Sequence, residues 1–177
     1  MKKLLLITLI LSLLLAIPAC AELPAFQMDW SDDAEQAFIN AGFEGTWYTL
    51  TMGDVKFDAL IPSGFELRSP TEEEAANGAA LVFENGEQNS MITVLDTRME
   101  EYGSVAEFGE ALKENDPETT VQYGVINGKE AMIHATEDPD KVTIVFDLGG
   151  HRFVQIVVIP LTGNNELVPL FMASIQF

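Results

Sequence analysis

Carboxylates are the side chains of this sequence whose number and spacing could do chemistry. The chain of 177 residues has 28 Asp and Glu but only 9 Lys and Arg, a formal net charge of −19. Glu137, Asp138 and Asp140 share one short turn, and oxygen-rich turns bind Ca²⁺, which takes about six to eight oxygen ligands. These three residues are therefore the best candidates for a weak metal site, although their spacing differs from that of an EF-hand loop.

The two histidines, His134 and His151, carry less chemical information. Neither has a second histidine at the spacing of a zinc site, so we expect one in a strand and the other at the start of a strand after a Gly-Gly turn. The sequence contains no nucleophile motif, P-loop or dinucleotide fingerprint. We therefore predict no catalytic residue, no cofactor and no enzyme activity.

Aromatic residues suggest a binding surface. Trp30, Trp47, Tyr48, Tyr102 and Tyr123 could line a groove for a carbohydrate or a peptide. Because successive side chains of a strand point to opposite faces, at least one of Trp47 and Tyr48 is expected to leave the core. Most aromatic side chains nevertheless fill cores or cover sheet edges, and we expect that for this set.

The acidic balance excludes several classes of partner. Binding to nucleic acid needs a basic surface that displaces counterions, and this chain would be repelled by phosphate. A content of 47% hydrophobic residues is enough for a folded core. The charge clusters are otherwise expected to be solvated surface, which keeps the protein soluble.

The first residues predict export, with two alternatives for processing. Lys2 and Lys3 precede an apolar run over residues 4–17, which is typical of a signal peptide and short for a membrane span. Cleavage after Ala21 would make residues 1–21 the signal peptide. Alternatively, residues 1–19 are a lipoprotein signal and Cys20 is lipidated. Removal of residues 1–21 leaves 7 Lys and Arg against 28 Asp and Glu, a formal charge of −21.

Hydrophobic periodicity and turn residues predict the rest of the chain. Residues 22–45 are a lead-in with a helix capped by Ser31, and residues 46–177 are a single α+β domain. The expected order is α, ββ, short α, ββ, α, ββββ, α, which gives a mainly antiparallel sheet of about eight strands flanked by helices. The predicted strands are 46–52, 55–61, 79–84, 90–96, 119–126, 130–136, 141–148 and 151–159.

Local signals specify several details. Gly53-Asp54 predicts a type II′ hairpin and Asn127-Gly128 a type I′ hairpin. Pro70 is expected at the first position of a short acidic helix. Ser104 is expected to cap the next helix in a capping box with Glu107. Asn164 or Asn165 is expected to cap the last helix.

Three segments carry a resemblance to a known superfamily. Val55–Phe57 runs into Ile61-Pro62-Ser63-Gly64-Phe65, a glycine turn lies within 127–131, and the chain closes on 171–177 with an S-I-x-F tail. Over residues 46–177 these features resemble the Mog1/PsbP-like superfamily, which includes DcrB-like bacterial lipoproteins. The resemblance implies an α/β/α sandwich and an accessory role in binding proteins, with no reaction and no ligand residues.

The sequence therefore predicts an exported, non-enzymatic accessory or protein-binding domain from a bacterial cell envelope or secretome. Its expected partner is a protein of the envelope, and the mature chain is expected to have no transmembrane helix. Two alternatives remain open: a carboxylate-based hydrolase of glycans, and a structural lipoprotein anchored to the surface through Cys20.

Overall fold

The computed structural model describes residues 26–117, 119–137, 140–159 and 167–177, with residues 137 and 140 described at the backbone only. The strands are β1 Phe26–Met28, β2 Gly45–Met52, β3 Val55–Pro62, β4 Glu66–Arg68, β5 Ala79–Asn85, β6 Ser90–Arg98, β7 Thr120–Ile126, β8 Lys129–Glu137, β9 Asp140–Gly149 and β10 Arg152–Ile159. The helices are α1 Asp32–Asn40, α2 Glu72–Ala76, α3 Val105–Asn115 and α4 Leu167–Ala173. Within these ranges no helix is long and apolar enough to cross a membrane.

Eight strands form one sheet in the order β1-β7-β8-β9-β10-β6-β5-β4. All of its neighbouring strands are antiparallel except β1 and β7, which are parallel. The predicted α+β class with a mainly antiparallel sheet of about eight strands is confirmed. The strands that make up this sheet differ from the predicted ones. The hairpin β2–β3 forms a separate two-stranded sheet. The two edges of the large sheet are β1 and β4, which were not predicted.

Strand β1 is held at its edge by a glycine on the neighbouring strand. Phe26 lies opposite Gly124 in the parallel ladder. A Cβ atom at Gly124 would lie 2.3 Å from the backbone oxygen of Phe26, so only glycine permits this approach. The lead-in before α1 is thereby tied to the sheet.

The turns follow the predicted chemistry with one correction. Gly53 has φ +59°, and Asn127 and Gly128 both have positive φ, as type II′ and type I′ hairpins require. His151 has φ +61° and belongs to the turn after β9. The prediction that His151 starts a strand is wrong, because a left-handed residue cannot continue the extended backbone, and β10 starts at Arg152.

Helix starts are also set by local hydrogen bonds. Ser31 caps α1 as predicted, whereas the cap of α2 is Thr71, which forms a capping box with Glu74. The prediction that Pro70 is the first helical residue is therefore wrong.

In α3 the Ser104 hydroxyl accepts from the Glu107 N–H, but the Glu107 carboxylate accepts from Gly103 instead of Ser104, so the predicted capping box is only half formed. The predicted caps at 164 and 165 lie outside the described residues.

The sheet buries apolar residues on both faces. Val154, Ile156 and Val158 of the central strand β10 join a large core that also contains residues of the hairpin, α1 and α4. Phe153 points to the opposite face and packs in a smaller cluster under α3. Each such side chain contributes about 1.5–3 kcal/mol when fully buried. One face therefore carries α3, and the other carries the hairpin with α1 and α4.

Candidate functional site

The predicted metal turn lies largely outside the described residues. Glu137 and Asp140 form the last backbone pair between β8 and β9, Asp138 lies outside the described residues, and the carboxylates of Glu137 and Asp140 are not described. The cation site at this turn stays a prediction. Among the described residues, no three His, Cys, Asp or Glu side chains are grouped as metal ligands.

The two histidines lie in separate environments. His151 places Nδ1 2.9 Å from the backbone oxygen of Tyr102. His134 is half-buried in β8, and its Nδ1 has no hydrogen-bond partner among the described atoms. Burial, and secondarily the charge of Lys141, lowers the pKa of His134 below its usual value. The structure does not bring these histidines together.

The five aromatic candidates divide between three places. Tyr102 and Tyr123 pack with the cluster under α3. Tyr48 points inward and meets Phe83 edge-on at 5.4 Å. Trp47, its neighbour in β2, is 43% exposed, so the expectation that one of the two leaves the core is confirmed. A single groove lined by all five residues does not exist.

The first candidate site is the end of the hairpin away from its turn. Trp30 and Trp47 meet edge-to-face, with ring centroids 5.4 Å apart, and Phe38 lies 6.4 Å from Trp30 on the other side. Phe43 continues the row at 5.5 Å from Phe38. We call Trp30, Phe38, Phe43 and Trp47 the aromatic end. Such contacts between rings hold an exposed indole in one orientation.

Asn127 anchors this end to distant parts of the chain. Its side-chain oxygen accepts from the Trp30 N–H at 2.7 Å. Its amide nitrogen donates to the carbonyls of Ala173 and Ile175, both at 2.7 Å. One side chain in a β-turn therefore positions both the start of α1 and the tail after α4.

A shallow groove of about 260 Å³ adjoins Trp47 on the hairpin. The Thr49 hydroxyl donates to the Asp58 carboxylate at 2.6 Å across the two strands. Asp58 also pairs through its backbone with Gln176 at 2.8 and 2.9 Å, which attaches the tail to the edge of β3. The groove thus places polar groups beside the exposed indole.

The second candidate site is a cleft of about 470 Å³ at the turn end of the hairpin. Its lining contains three cations and one carboxylate, together with apolar side chains and the Gly-Gly turn. We call it the cationic cleft, and its lining residues are Asp54, Val55, Lys56, Arg98, Leu148, Gly149, Gly150, Arg152 and Phe177.

Arg152 locks the hairpin turn onto the large sheet. Its guanidinium donates two hydrogen bonds to Asp96, at 2.8 and 2.6 Å, and a third to Asp54 at 2.5 Å. The hydrogen bond from Arg152 is the main reason why the pKa of Asp54 lies below its usual value. Asp54 and Asp96 thus share one guanidinium, which connects the hairpin turn to β6 and β10.

The floor of the cleft is aromatic. The Phe177 ring stacks on Phe57 at 4.9 Å and also contacts Phe146 at 4.8 Å, yet it stays 43% exposed. Lys129 places its ammonium 4.9 Å from the centre of the Phe177 ring. The cleft therefore sets the exposed Phe177 ring beside Lys56, Arg98 and Arg152, an arrangement that can bind an anionic group with apolar parts.

Comparison with known proteins defines the fold. No family model matches the sequence, and no curated protein matches it either. The solution structure of cyanobacterial PsbP (CyanoP) from Synechocystis sp. PCC 6803 is similar, with a TM-score of 0.51 and 8% sequence identity. The similarity covers 75% of this chain and 93% of that chain. The fold is Mog1/PsbP-like. At this level of identity the similarity establishes the fold alone.

Sequence reasoning missed the cationic cleft, although it named Trp30 and Trp47. The cations Lys56, Arg98, Lys129 and Arg152 lie on four different strands, β3, β6, β8 and β10. No local motif links them. The sequence offered one indication of such a site: basic residues are scarce, with only seven Lys and Arg after residue 3, so a cluster of several of them is notable.

Proposed function

We propose that this chain is an exported, non-enzymatic accessory domain of a bacterial cell envelope, and that it binds a protein partner through its aromatic end. The observation that carries the proposal is Trp47, which is 43% exposed although Trp30 holds it in place. Indole rings supply large contact areas at a small cost in side-chain entropy, and tryptophan is enriched among the residues that dominate binding energy.

The contacts behind Trp47 support a preformed surface. Trp30 is fixed at its backbone by Asn127, and Phe38 behind it is only 3% exposed. A partner that meets such a surface does not need to order it first, which lowers the entropic cost of association. The Mog1/PsbP-like fold is compatible with an accessory role of this kind.

Export is proposed from the sequence features before residue 22. Processing after Ala21 would release a chain that begins at Glu22, whereas processing before Cys20 would give a lipidated terminus. Mass spectrometry of the N-terminal peptide from the native protein separates these two forms. An uncleaved Lys2-Lys3 segment on the native protein would contradict export.

Site-specific photo-crosslinking tests the binding surface. A photoreactive amino acid replaces Trp47 in the full chain, which is expressed in the bacterium that encodes it. The matched control carries the same amino acid at Glu72, an exposed position on α2. We expect a discrete protein adduct from position 47 and none from position 72. Equal labelling at the two positions, or no adduct at 47, would contradict the proposal.

A further inference from the structure

We propose a second binding site on this protein: the cationic cleft binds an acidic peptide segment. This inference rests on the proposed function, because the segment is taken to belong to the protein partner. It deepens that function by assigning the chemistry of the bound segment, in which carboxylates alternate with apolar side chains.

The distribution of charge is the first argument. Residues 4–177 contain seven Lys and Arg against 28 Asp and Glu. Three of the seven cations, Lys56, Arg98 and Arg152, line this one cleft, and a fourth, Lys129, lies over the ring of its lining residue Phe177. On a surface that otherwise repels anions, the cleft is the place where a carboxylate finds complementary charge.

The cations have different roles. Arg152 is engaged by Asp54 and Asp96 and shapes the cleft. Arg98 is 69% exposed and lies 3.6 Å from Glu100, an exposed pair that a ligand can displace. Within the part of the chain that the structure describes, neither Lys56 nor Lys129 forms an ion pair. Lys56 and Arg98 are therefore available to a ligand of the cleft, and Lys129 lies over the Phe177 ring.

The apolar side chains of the cleft favour a peptide as the ligand over a small inorganic anion. Phe177 is 43% exposed, and Val55 and Leu148 line the same cleft. A free inorganic anion would leave this apolar surface unused, whereas a segment with both acidic and apolar side chains covers it. A nucleic acid brings a dense row of phosphates, which the net charge of the molecule repels.

The carboxylates beside Arg152 outnumber its single charge. Asp54 accepts a hydrogen bond from Arg152 at 2.5 Å, and Asp96 accepts two from the same guanidinium. These three groups together therefore carry an excess of one negative charge. Lys56 and Arg98 of the lining and Lys129 beside Phe177 add three positive charges against the one carboxylate of Glu100, so the balance at the cleft stays positive.

Titration calorimetry of the mature chain tests the proposal with a synthetic ten-residue peptide of alternating Glu and Leu. Lys56→Gln with Arg98→Gln is expected to weaken binding by at least about tenfold, because it removes one unpaired cation and one cation whose ion pair is exposed. The matched control is Lys113→Gln with Lys141→Gln, which makes the same change in net charge. Lys113 lies on α3 across the sheet, and Lys141 lies at the opposite end of β9 from the cleft. The control is expected to stay within about twofold, as screened surface charges at a distance contribute little.

Four results would overturn the proposal. One is an equal loss in the control variant, which would show an effect of net charge alone. Another is equal binding of an alternating Gln and Leu peptide. Complete displacement of the acidic peptide by millimolar inorganic phosphate would show that the cleft is a site for small anions and not for a peptide. Absence of peptide binding by the unaltered chain would show that the cleft is not a peptide-binding site.

The variant Trp47→Ala keeps the two proposals apart. It is expected to bind the acidic peptide as tightly as the unaltered chain, because Trp47 does not line the cleft. If no partner crosslinks to position 47 while the peptide still binds, the proposed function is wrong, but the proposal that the cleft binds an acidic peptide is supported. If the crosslink forms while the peptide does not bind, the cleft fails alone.

Discussion

Different kinds of interaction stabilise the two ends of the hairpin β2–β3. The aromatic end consists of Trp30, Phe38, Phe43 and Trp47, which pack ring against ring. The turn end is joined to the large sheet by ion pairs of Arg152. Contacts of the first kind bury apolar surface and respond weakly to salt, whereas exposed charges are screened over a Debye length of about 10 Å at 0.1 M salt.

The comparison also shows how each end depends on the rest of the chain. The rings of the aromatic end come from one stretch of sequence between residues 30 and 47. The cationic cleft collects side chains from four strands and from the tail. The rings of the first end are neighbours in sequence, although Asn127 fixes Trp30 from the large sheet. The second end exists only when the whole sheet has formed. Four variants, ordered by expected effect, sharpen this contrast.

The largest effect is expected for Phe38→Ala. Phe38 is 3% exposed and contacts both Trp30 and Phe43. Loss of a buried phenyl ring costs about 3–5 kcal/mol in the free energy of unfolding, measured by urea denaturation. The loss is expected to be the same at low and high salt. Ile39→Ala, at a side chain that is 56% exposed, is the control and should cost under about 1 kcal/mol. Similar losses for the two variants would contradict the account.

A smaller loss is expected for Asn127→Ala. The variant removes three side-chain hydrogen bonds, to Trp30, Ala173 and Ile175, each worth about 1 kcal/mol. It also places alanine at φ +46°. Urea denaturation should show a total loss of about 2–4 kcal/mol.

Asn127→Gly separates the two causes of that loss, because glycine tolerates the left-handed backbone but still lacks the amide. It should recover only the backbone part of the loss. Full recovery with glycine would show that the three hydrogen bonds do not hold the aromatic end.

Arg152→Gln is expected to be the salt-sensitive variant. It leaves the carboxylates of Asp54 and Asp96 without their shared cation, so the free energy of unfolding should fall at low ionic strength. High salt should restore part of it by screening the two carboxylates from each other. Urea titrations at low and high salt measure the difference. A loss that does not change with salt would remove the electrostatic distinction between the two ends.

The smallest effect concerns the pH dependence at the turn. Hydrogen bonding to Arg152 lowers the pKa of Asp54, so its stabilisation is present above the unfolded pKa and is lost as the pH falls through the lower folded value. In Arg152→Gln the pKa of Asp54 should return towards its usual value. Carboxyl chemical shifts across an NMR titration report both values. An unchanged pKa would mean that Arg152 does not control this carboxylate.

The sequence predicted those parts of the fold that local chemistry determines. Asn127-Gly128 sets its hairpin by backbone conformation alone, and Ser31 caps α1 with its own side chain. Strands β1 and β4 have three residues each. Their stability comes from partners that are distant in sequence, so no local pattern could indicate them.

The same limit applies to the hairpin and to the site. The Gly53-Asp54 turn predicted that β2 and β3 pair, but a turn does not specify whether the pair joins the large sheet or packs on its face. Trp47 and Tyr48 could be assigned to opposite faces from adjacency alone. The convergence of Lys56, Arg98 and Arg152 depends on strand order, which the sequence does not display.

The proposals for the two ends of the hairpin together predict that one protein contacts both ends. Parallel photo-crosslinking from positions 47 and 56 in the native host tests it most directly, with position 72 as the control. We predict the same partner from both positions, with the adduct from position 56 mapped to an acidic segment of that partner. Unrelated adducts at 47 and 56, or labelling no stronger than at 72, would contradict the claim.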